Sequence, residues 1–154
     1  MNAHRRQIST ITLPSAIGAM EAAVAEAERR GLRISVCVVN AMGQQILAAH
    51  MDGATLQCSE IARGKALTAL GYGLSTSAWE HRLENRSHAV RQGLPLQAGL
   101  VLFGGGEPFL DEEDIVGAIG VSGGSEQEDV MCALAAVERV SRLPGGTGHK
   151  TSLL

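Results

Sequence analysis

Apolar residues recur every three or four positions in long stretches of the chain, a spacing that predicts amphipathic helices. Helices are predicted over residues 12–30, 56–72 and 78–92, and a last one follows Ser125. Ser77 with Glu80 and Ser125 with Glu128 have the spacing of capping boxes at two helix starts. The predicted buried faces consist of the larger apolar residues: Leu13, Ile17, Met20 and Val24 in the first helix, and Val130, Leu134 and Val137 in the last.

Short runs rich in β-branched residues predict five strands, over residues 33–39, 44–50, 98–103, 107–110 and 115–121. The turn at 40–43 joins the first two as an antiparallel hairpin. The acidic turn at 111–114 joins the last two. Because strands and helices do not alternate, the order predicts an α+β domain: a five-stranded antiparallel sheet with packed helices.

The stretch 103–125 concentrates glycine between apolar runs. Gly104, Gly105 and Gly106 allow a sharp turn or the close approach of another group to bare backbone. Packing is the commoner reason for such glycines, and a contact with a ligand is the alternative. The stretch lacks the GK[ST] ending of a phosphate-binding loop.

Length and composition predict one domain over 12–143, preceded by a lead-in over 1–11 and followed by a flexible tail over 144–154. The net charge of −3 gives no reason to expect a nucleic-acid partner. No apolar run reaches the roughly 20 residues of a membrane span, and no secretion signal follows the first residues, so we expect a cytoplasmic protein. Three cysteines in apolar surroundings are expected to be reduced core residues: Cys37, Cys58 and Cys132.

Several segments together resemble the GlcG/HbpS-like family, whose domain also forms the C-terminal part of PduO-type proteins. They cover the chain from about residue 13 to 140 and lie at 39–43, 50–54, 61–66, 104–108 and 116–123. The resemblance implies a profilin-like α+β fold, assembly into homo-oligomers, and a small-molecule ligand. Some members of the family bind haem, and others accompany catabolic enzymes.

The chain departs from the family pattern at three positions. Asn40 stands where the hairpin turn usually has aspartate, His50 where arginine usually precedes Met-Asp-Gly, and Glu107 where an apolar residue usually follows the three glycines. Two of these changes add titratable groups, which favours chemistry at these positions.

His50, Asp52 and Glu107 are the predicted catalytic residues. His50 would transfer a proton, and a carboxylate of Asp52 or Glu107 would orient its ring. Arg63 would bind a substrate carboxylate in a pocket near the glycine turn. The further predicted substrate-binding residues are Lys65, Gly104, Gly105 and Gly106. Helical geometry turns Lys65 about 200° away from Arg63, toward a neighbouring subunit or the sheet edge.

This arrangement suits a hydratase, hydrolase or tautomerase that acts on a carboxylated catabolic intermediate. The alternative is structural: Asp52 caps the next helix, Arg63 pairs with Glu60, and His50 is an exposed histidine at a strand end. The sequence does not identify a cofactor, and haem is the candidate cofactor.

Non-covalent haem binding is the second functional hypothesis. His50 or Met51 would be the axial ligand, and His81 and His88 are further candidates. The absence of a CxxCH motif excludes covalent haem. A metal site formed by His81, Glu84 and His88 is weaker, because that helix is highly charged and its exposed face is most simply solvated. A third hypothesis is an accessory structural oligomer without catalysis.

Overall fold

The computed structural model describes residues 4–142. Its centre is a single antiparallel sheet of four strands in the order β2-β1-β4-β3. The strands are β1 (Ser35–Asn40), β2 (Gln45–His50), β3 (Gly106–Asp111) and β4 (Asp114–Ser122). Strands β1 and β4 lie in the middle, which is why both are continuous apolar runs that are buried almost throughout.

Helices cover both faces of the sheet. They are α1 (Leu13–Arg29), α2 (Cys58–Tyr72), α3 (Trp79–Glu84), α4 (His88–Gly93) and α5 (Glu126–Ser141). Helices α1 and α5 pack together on one face, around Val36, Val38 and Ile119. Helix α2 alone covers the other face, around Cys37, Val39 and Ala118. The predicted α+β class is confirmed, as are the antiparallel pairing and the second capping box at Ser125.

The prediction of five strands is wrong, because residues 98–103 do not join the sheet. Gly99 turns the chain with a positive φ of 81°, and the backbone N–H of Val101 donates to Thr68 Oγ1 on α2 at 3.0 Å. The outer side of β3 is also occupied, since Thr76 Oγ1 accepts the N–H of Gly106 at 2.8 Å. The segment therefore packs on α2 instead of adding a strand.

The single helix predicted over 78–92 is also wrong, because it is split between α3 and α4. Asn85 Nδ2 donates to the carbonyl of His81 at 3.1 Å and ends α3. Ser87 then caps α4 by accepting the Val90 N–H at 3.3 Å. Such side chains compete with helical hydrogen bonds, and here they break the helix. The first predicted capping box does not form, since α3 follows a 3₁₀ turn (Thr76–Ala78) and has no side-chain cap.

The fully buried positions of α1 and α5 are small residues, whereas only some of the larger apolar residues that the spacing predicts, Met20, Val24 and Val137, pack against the core, and they are partly buried. The fully buried positions are Ala16, Ala19, Ala23 and Ala27 in α1, and Cys132, Ala133 and Ala136 in α5. Leu13, Ile17 and Leu134 are 40–52% exposed. Alanine faces let two helices approach closely, so small side chains form the centre of the α1–α5 interface.

Helix α2 packs on β4 with almost no intervening side chain. A Cβ at Gly120 would overlap the carbonyl oxygen of Ala62 and lie 2.7 Å from the backbone N of Ala66. The glycine therefore sets the distance between the helix and the sheet.

The three cysteines lie in the core, as predicted, and are free thiols. Burial raises the pKa of Cys37 to about 11 and that of Cys132 to about 11. Among residues 4–142, none of the helices has the length and apolar character needed to cross a membrane. The predicted tail over 144–154 lies outside the described residues.

Candidate active-site cleft

An open cleft of about 530 Å³ lies between the end of α1, the start of β1 and the end of β2. Three predicted site residues line it, namely His50, Met51 and Asp52. The other lining side chains include Val24, Glu28, Leu32 and Arg33. The residues around the cleft are thus apolar, basic and acidic, and His50 lies at its end where β2 stops. It lies beside edge strand β2, whereas the glycine turn lies beside the other edge strand, β3.

The His50 ring is held on both sides by hydrogen bonds. Its Nε2 lies 3.1 Å from the Ala54 carbonyl, and its Nδ1 contacts Ser35 Oγ and lies 3.1 Å from Ser59 Oγ. A carbonyl only accepts, so Nε2 carries the proton and Nδ1 accepts from a hydroxyl. These hydrogen bonds therefore fix the orientation of the ring, and no carboxylate of the described residues takes part.

A bulge in the hairpin brings His50 to this position. The β1–β2 register shifts between Val38 and Val39, so that β2 holds one extra residue, Ile46, and His50 comes opposite Ser35. Paired residues of an antiparallel sheet share a face, which places both side chains on the side that α2 covers. The first turn of α2 then places Ser59 beside the same ring nitrogen of His50.

Asp52 and Arg63 are both exposed. Asp52 lies at the rim of the cleft, where its carbonyl accepts from Arg33 Nη1 at 3.2 Å. It does not cap α2, whose N-terminal residue Gln57 has no side-chain cap bond. Arg63 follows Ser59 by one helical turn and has no hydrogen bond or ion pair within residues 4–142. The structural alternative of an Arg63–Glu60 pair is thus not seen there.

Lys65 is buried beneath the glycine turn rather than exposed to a cleft. It is 1% exposed, and its Nζ donates to Asp129 Oδ2 and to the Val121 carbonyl, both at 2.8 Å. Gly105 has a φ of +120° and lies so close that a Cβ would be 2.7 Å from that Nζ. Gly104 and Gly106 are equally closely packed, Gly104 on Val130 and Gly106 on the Lys65 carbonyl, so the three glycines serve packing and Gly105 covers the buried ion pair.

Glu107 lies far from His50 in the sheet. It is on β3 opposite Ile119, whereas His50 aligns through Ser35 with Ser122 of β4, so the two residues lie on opposite faces with two strands between them. Glu107 is 6% exposed and accepts a hydrogen bond from Ser75. Within one chain it cannot orient the His50 ring.

We expect Glu107→Gln to stabilise the protein at neutral pH. Burial raises the pKa of the Glu107 carboxyl above its ordinary value, although the hydrogen bond from Ser75 opposes this. A raised pKa in the folded state means that the protonated form favours folding, so this contribution is full below the ordinary pKa and is lost as pH rises through the raised one. Urea midpoints of both proteins should differ at neutral pH and converge in mild acid.

Glu113→Gln in the exposed acidic turn is the control, and its midpoint should match the wild type at both pH values. An equal or lower neutral-pH midpoint for Glu107→Gln would contradict the assigned effect of burial.

The other candidate haem or metal ligands do not converge. His81 is on α3 and His88 on α4, separated by the break after Asn85. His81 Nδ1 instead lies 3.5 Å from Glu84 Oε2 on an exposed surface. In the described part of the chain, no three His, Cys, Asp or Glu side chains are grouped as a metal site would require.

Arg33, Ser35 and Ser59 are the site residues that the sequence interpretation missed. The hairpin turn could have indicated Ser35, but a regular two-strand register would pair His50 one position away. Ser59 could have been found from its place in the first turn of the predicted helix. Nothing in the pattern distinguishes Arg33 from other charged residues before a strand.

Comparison of the sequence with known proteins identifies a family. Residues 11–138 match the model described as haem degrading protein HbpS-like. An uncharacterised 15.0 kDa protein of the Citrobacter freundii dhaT-dhaS intergenic region is 31% identical over 138 residues, which are 90% of this chain and 97% of that protein.

Solved structures agree with this match. The ORFY protein of Klebsiella pneumoniae is 30% identical, with a TM-score of 0.84 over 94% of this chain and 99% of its own. A PduOC:heme complex is 29% identical, with a TM-score of 0.77 over 84% of this chain and 94% of its own. These matches confirm the resemblance inferred from the sequence motifs. The chain belongs to the HbpS-like family.

Proposed function

We propose that this protein binds haem non-covalently in the cleft at His50. The observation that carries the proposal is the set of residues around this cleft: exposed His50 and adjacent Met51 at the end of β2, half-buried Val24 and Leu32, and Arg33. Non-covalent haem needs an axial ligand and an apolar slot. The PduOC:heme complex, a relative of the same fold, supports haem as the ligand class.

The residues of the cleft fit such a ligand. Iron ligation through His50 Nε2 requires the proton to move to Nδ1, and the hydroxyl of Ser35 can accept from Nδ1–H as readily as it now donates to Nδ1. The bond to the Ala54 carbonyl must be given up, and the ring must turn from the α2 side of the sheet toward the cleft. Val24 and Leu32 would contact the porphyrin, and Arg33 would pair with a propionate. Bound haem would supply a redox-active iron.

A hemin titration followed in the Soret band tests this function. The wild type should show a saturable shift near one haem per chain, and His50→Ala should weaken binding by at least about tenfold. His81→Ala removes an exposed histidine on α3 and is the matched control, which should titrate like the wild type. Equal titrations of all three proteins, or no saturable shift, would rule out His50 as the haem ligand.

A carboxylated catabolic intermediate is the second candidate ligand for the same cleft. Arg33, His50 and Asp52 all line the cleft and favour it, because a guanidinium can bind a carboxylate and an imidazole can move a proton. His50 would then be the acid and base, with Arg63 or Arg33 as the carboxylate clamp. If hemin shows no saturable shift, binding of keto and unsaturated dicarboxylates becomes the next measurement. Self-association and a cytoplasmic location stay predictions from the sequence.

A further inference from the structure

Two hydroxyl groups on the Nδ1 side of His50 have no part in the haem proposal beyond holding the ring. Ser59 Oγ is 3.1 Å from Nδ1 and 3.4 Å from Ser35 Oγ. The two serines differ in access: Ser35 is 1% exposed, whereas Ser59 is exposed on the first turn of α2. Only Ser59 can meet a molecule from solution.

We propose that Ser59 is the nucleophile of an acyl-transfer site, with His50 as its general base. An activated serine requires a base within about 2.6–3.2 Å of its oxygen and a third group that orients the base. Here Nδ1 is within that distance, and the Ala54 carbonyl holds Nε2–H and so keeps the lone pair on Nδ1. Ser35 is a positioning residue that contacts the same nitrogen from the buried side, and the Nδ1 lone pair becomes available to Ser59 when the Ser35 hydroxyl turns to donate to the Ser59 oxygen 3.4 Å away.

The reaction follows from these positions. Ser59 Oγ attacks the carbonyl carbon of an ester while its proton moves to His50 Nδ1. The resulting imidazolium keeps its Nε2–H on the Ala54 carbonyl. When the ester C–O bond breaks, the leaving oxygen takes the proton from Nδ1 and the acyl group remains on Ser59. Water, deprotonated by the same nitrogen, then releases the carboxylic acid and restores the serine.

The charge near Ser59 indicates the class of substrate. Arg63 lies one helical turn after Ser59, is exposed, and has no ion-pair partner in the described residues. The first turn of the 15-residue helix α2 adds a partial positive charge. Both features favour small esters or thioesters that carry a carboxylate, and both favour the negative charge that develops during attack.

Hydrolysis of 4-nitrophenyl acetate by the haem-free protein tests the proposal. We expect a burst of nitrophenolate approaching one per chain, with the acetyl group located on Ser59 by peptide mass mapping. Ser59→Ala and His50→Ala should each lower the rate by about 100-fold or more. Ser77→Ala, which removes an exposed serine in the 3₁₀ turn before α3, is the control and should leave burst and rate unchanged.

Acetylation confined to other residues, or a rate that Ser59→Ala leaves unchanged, would overturn the proposal. Exposed imidazoles also react with this ester. The location of the acetyl group and the rate together therefore decide whether Ser59 is the nucleophile. Haem is absent from the assay, and the hemin titration does not require Ser59, so the two functions can fail independently.

Discussion

Asp129→Ala is expected to lower the free energy of unfolding by about 3–5 kcal/mol. The substitution leaves the ammonium group of Lys65 buried, with the Val121 carbonyl as its remaining hydrogen-bond acceptor. Removing one partner of a buried pair costs much more than the pair itself contributes, because the remaining charge has lost both water and counter-charge. Urea denaturation followed by circular dichroism gives the change.

Glu138→Ala on the same helix is the matched control. Glu138 also forms an ion pair, with Arg142, but both side chains are exposed, so its loss should change stability by less than about 1 kcal/mol. The double variant Lys65→Met/Asp129→Leu removes both charges and should recover most of the lost stability. If Asp129→Ala cost no more than Glu138→Ala, the Lys65 ammonium would not be left buried without a counter-charge, which would contradict the described geometry.

Gly120→Ala is expected to cost at least about 3 kcal/mol and to reduce the yield of folded protein. The added methyl group would overlap the Ala62 carbonyl oxygen, which belongs to the backbone of α2 and cannot rotate away. The helix would have to lift from β4, which would open the contacts around Ala62 and Ala66. Thermal denaturation measured by far-ultraviolet circular dichroism would show the loss.

Substitution of Gly71 by alanine should instead raise the stability of the protein. Gly71 lies within α2, and a Cβ there would have nothing within 4 Å, so alanine should stabilise the helix by roughly 0.5–1 kcal/mol. A melting temperature for Gly120→Ala close to that of the wild type would contradict the close contact between Gly120 of β4 and Ala62 of α2.

The hairpin, α1, α2, the last two strands and α5 could be predicted from the sequence because each has a local start or stop signal. Ser125 with Glu128 begins α5, and Gly73 ends α2 in a left-handed conformation with φ of 65°. The segment from 78 to 103 had weaker signals. There Asn85, Ser87 and Thr68 act through side-chain hydrogen bonds that a hydrophobic pattern does not reveal.

Which face of each helix is buried was harder to predict, and the reason is energetic. Spacing identifies which residues share a face, and large apolar residues are usually buried. In α1 the alanine face is buried instead, and Ile17 is left 40% exposed. Close approach of α1 and α5 gains contacts along the whole interface, which outweighs the burial of a few larger side chains.

The candidate site was predicted in part. His50, Met51 and Asp52 share the cleft, because residues adjacent in sequence at a strand end stay adjacent in the fold. Glu107 does not join them, since its distance from His50 depends on the strand order and on which face it occupies. A one-residue bulge, which the turn sequence does not specify, decides that Ser35 is the residue opposite His50.

The short helices α3 and α4 make their main contacts with each other and with the adjacent 3₁₀ turns, Thr76–Ala78 and Leu94–Leu96, rather than with the sheet. Trp79, the one tryptophan of the chain, anchors this segment by packing edge-to-face on Tyr72 with ring centroids 4.7 Å apart. Segments with few contacts to the core open at a fraction of the global unfolding free energy. Intrinsic fluorescence will therefore report the detachment of residues 79–97 and can change while the sheet is still intact.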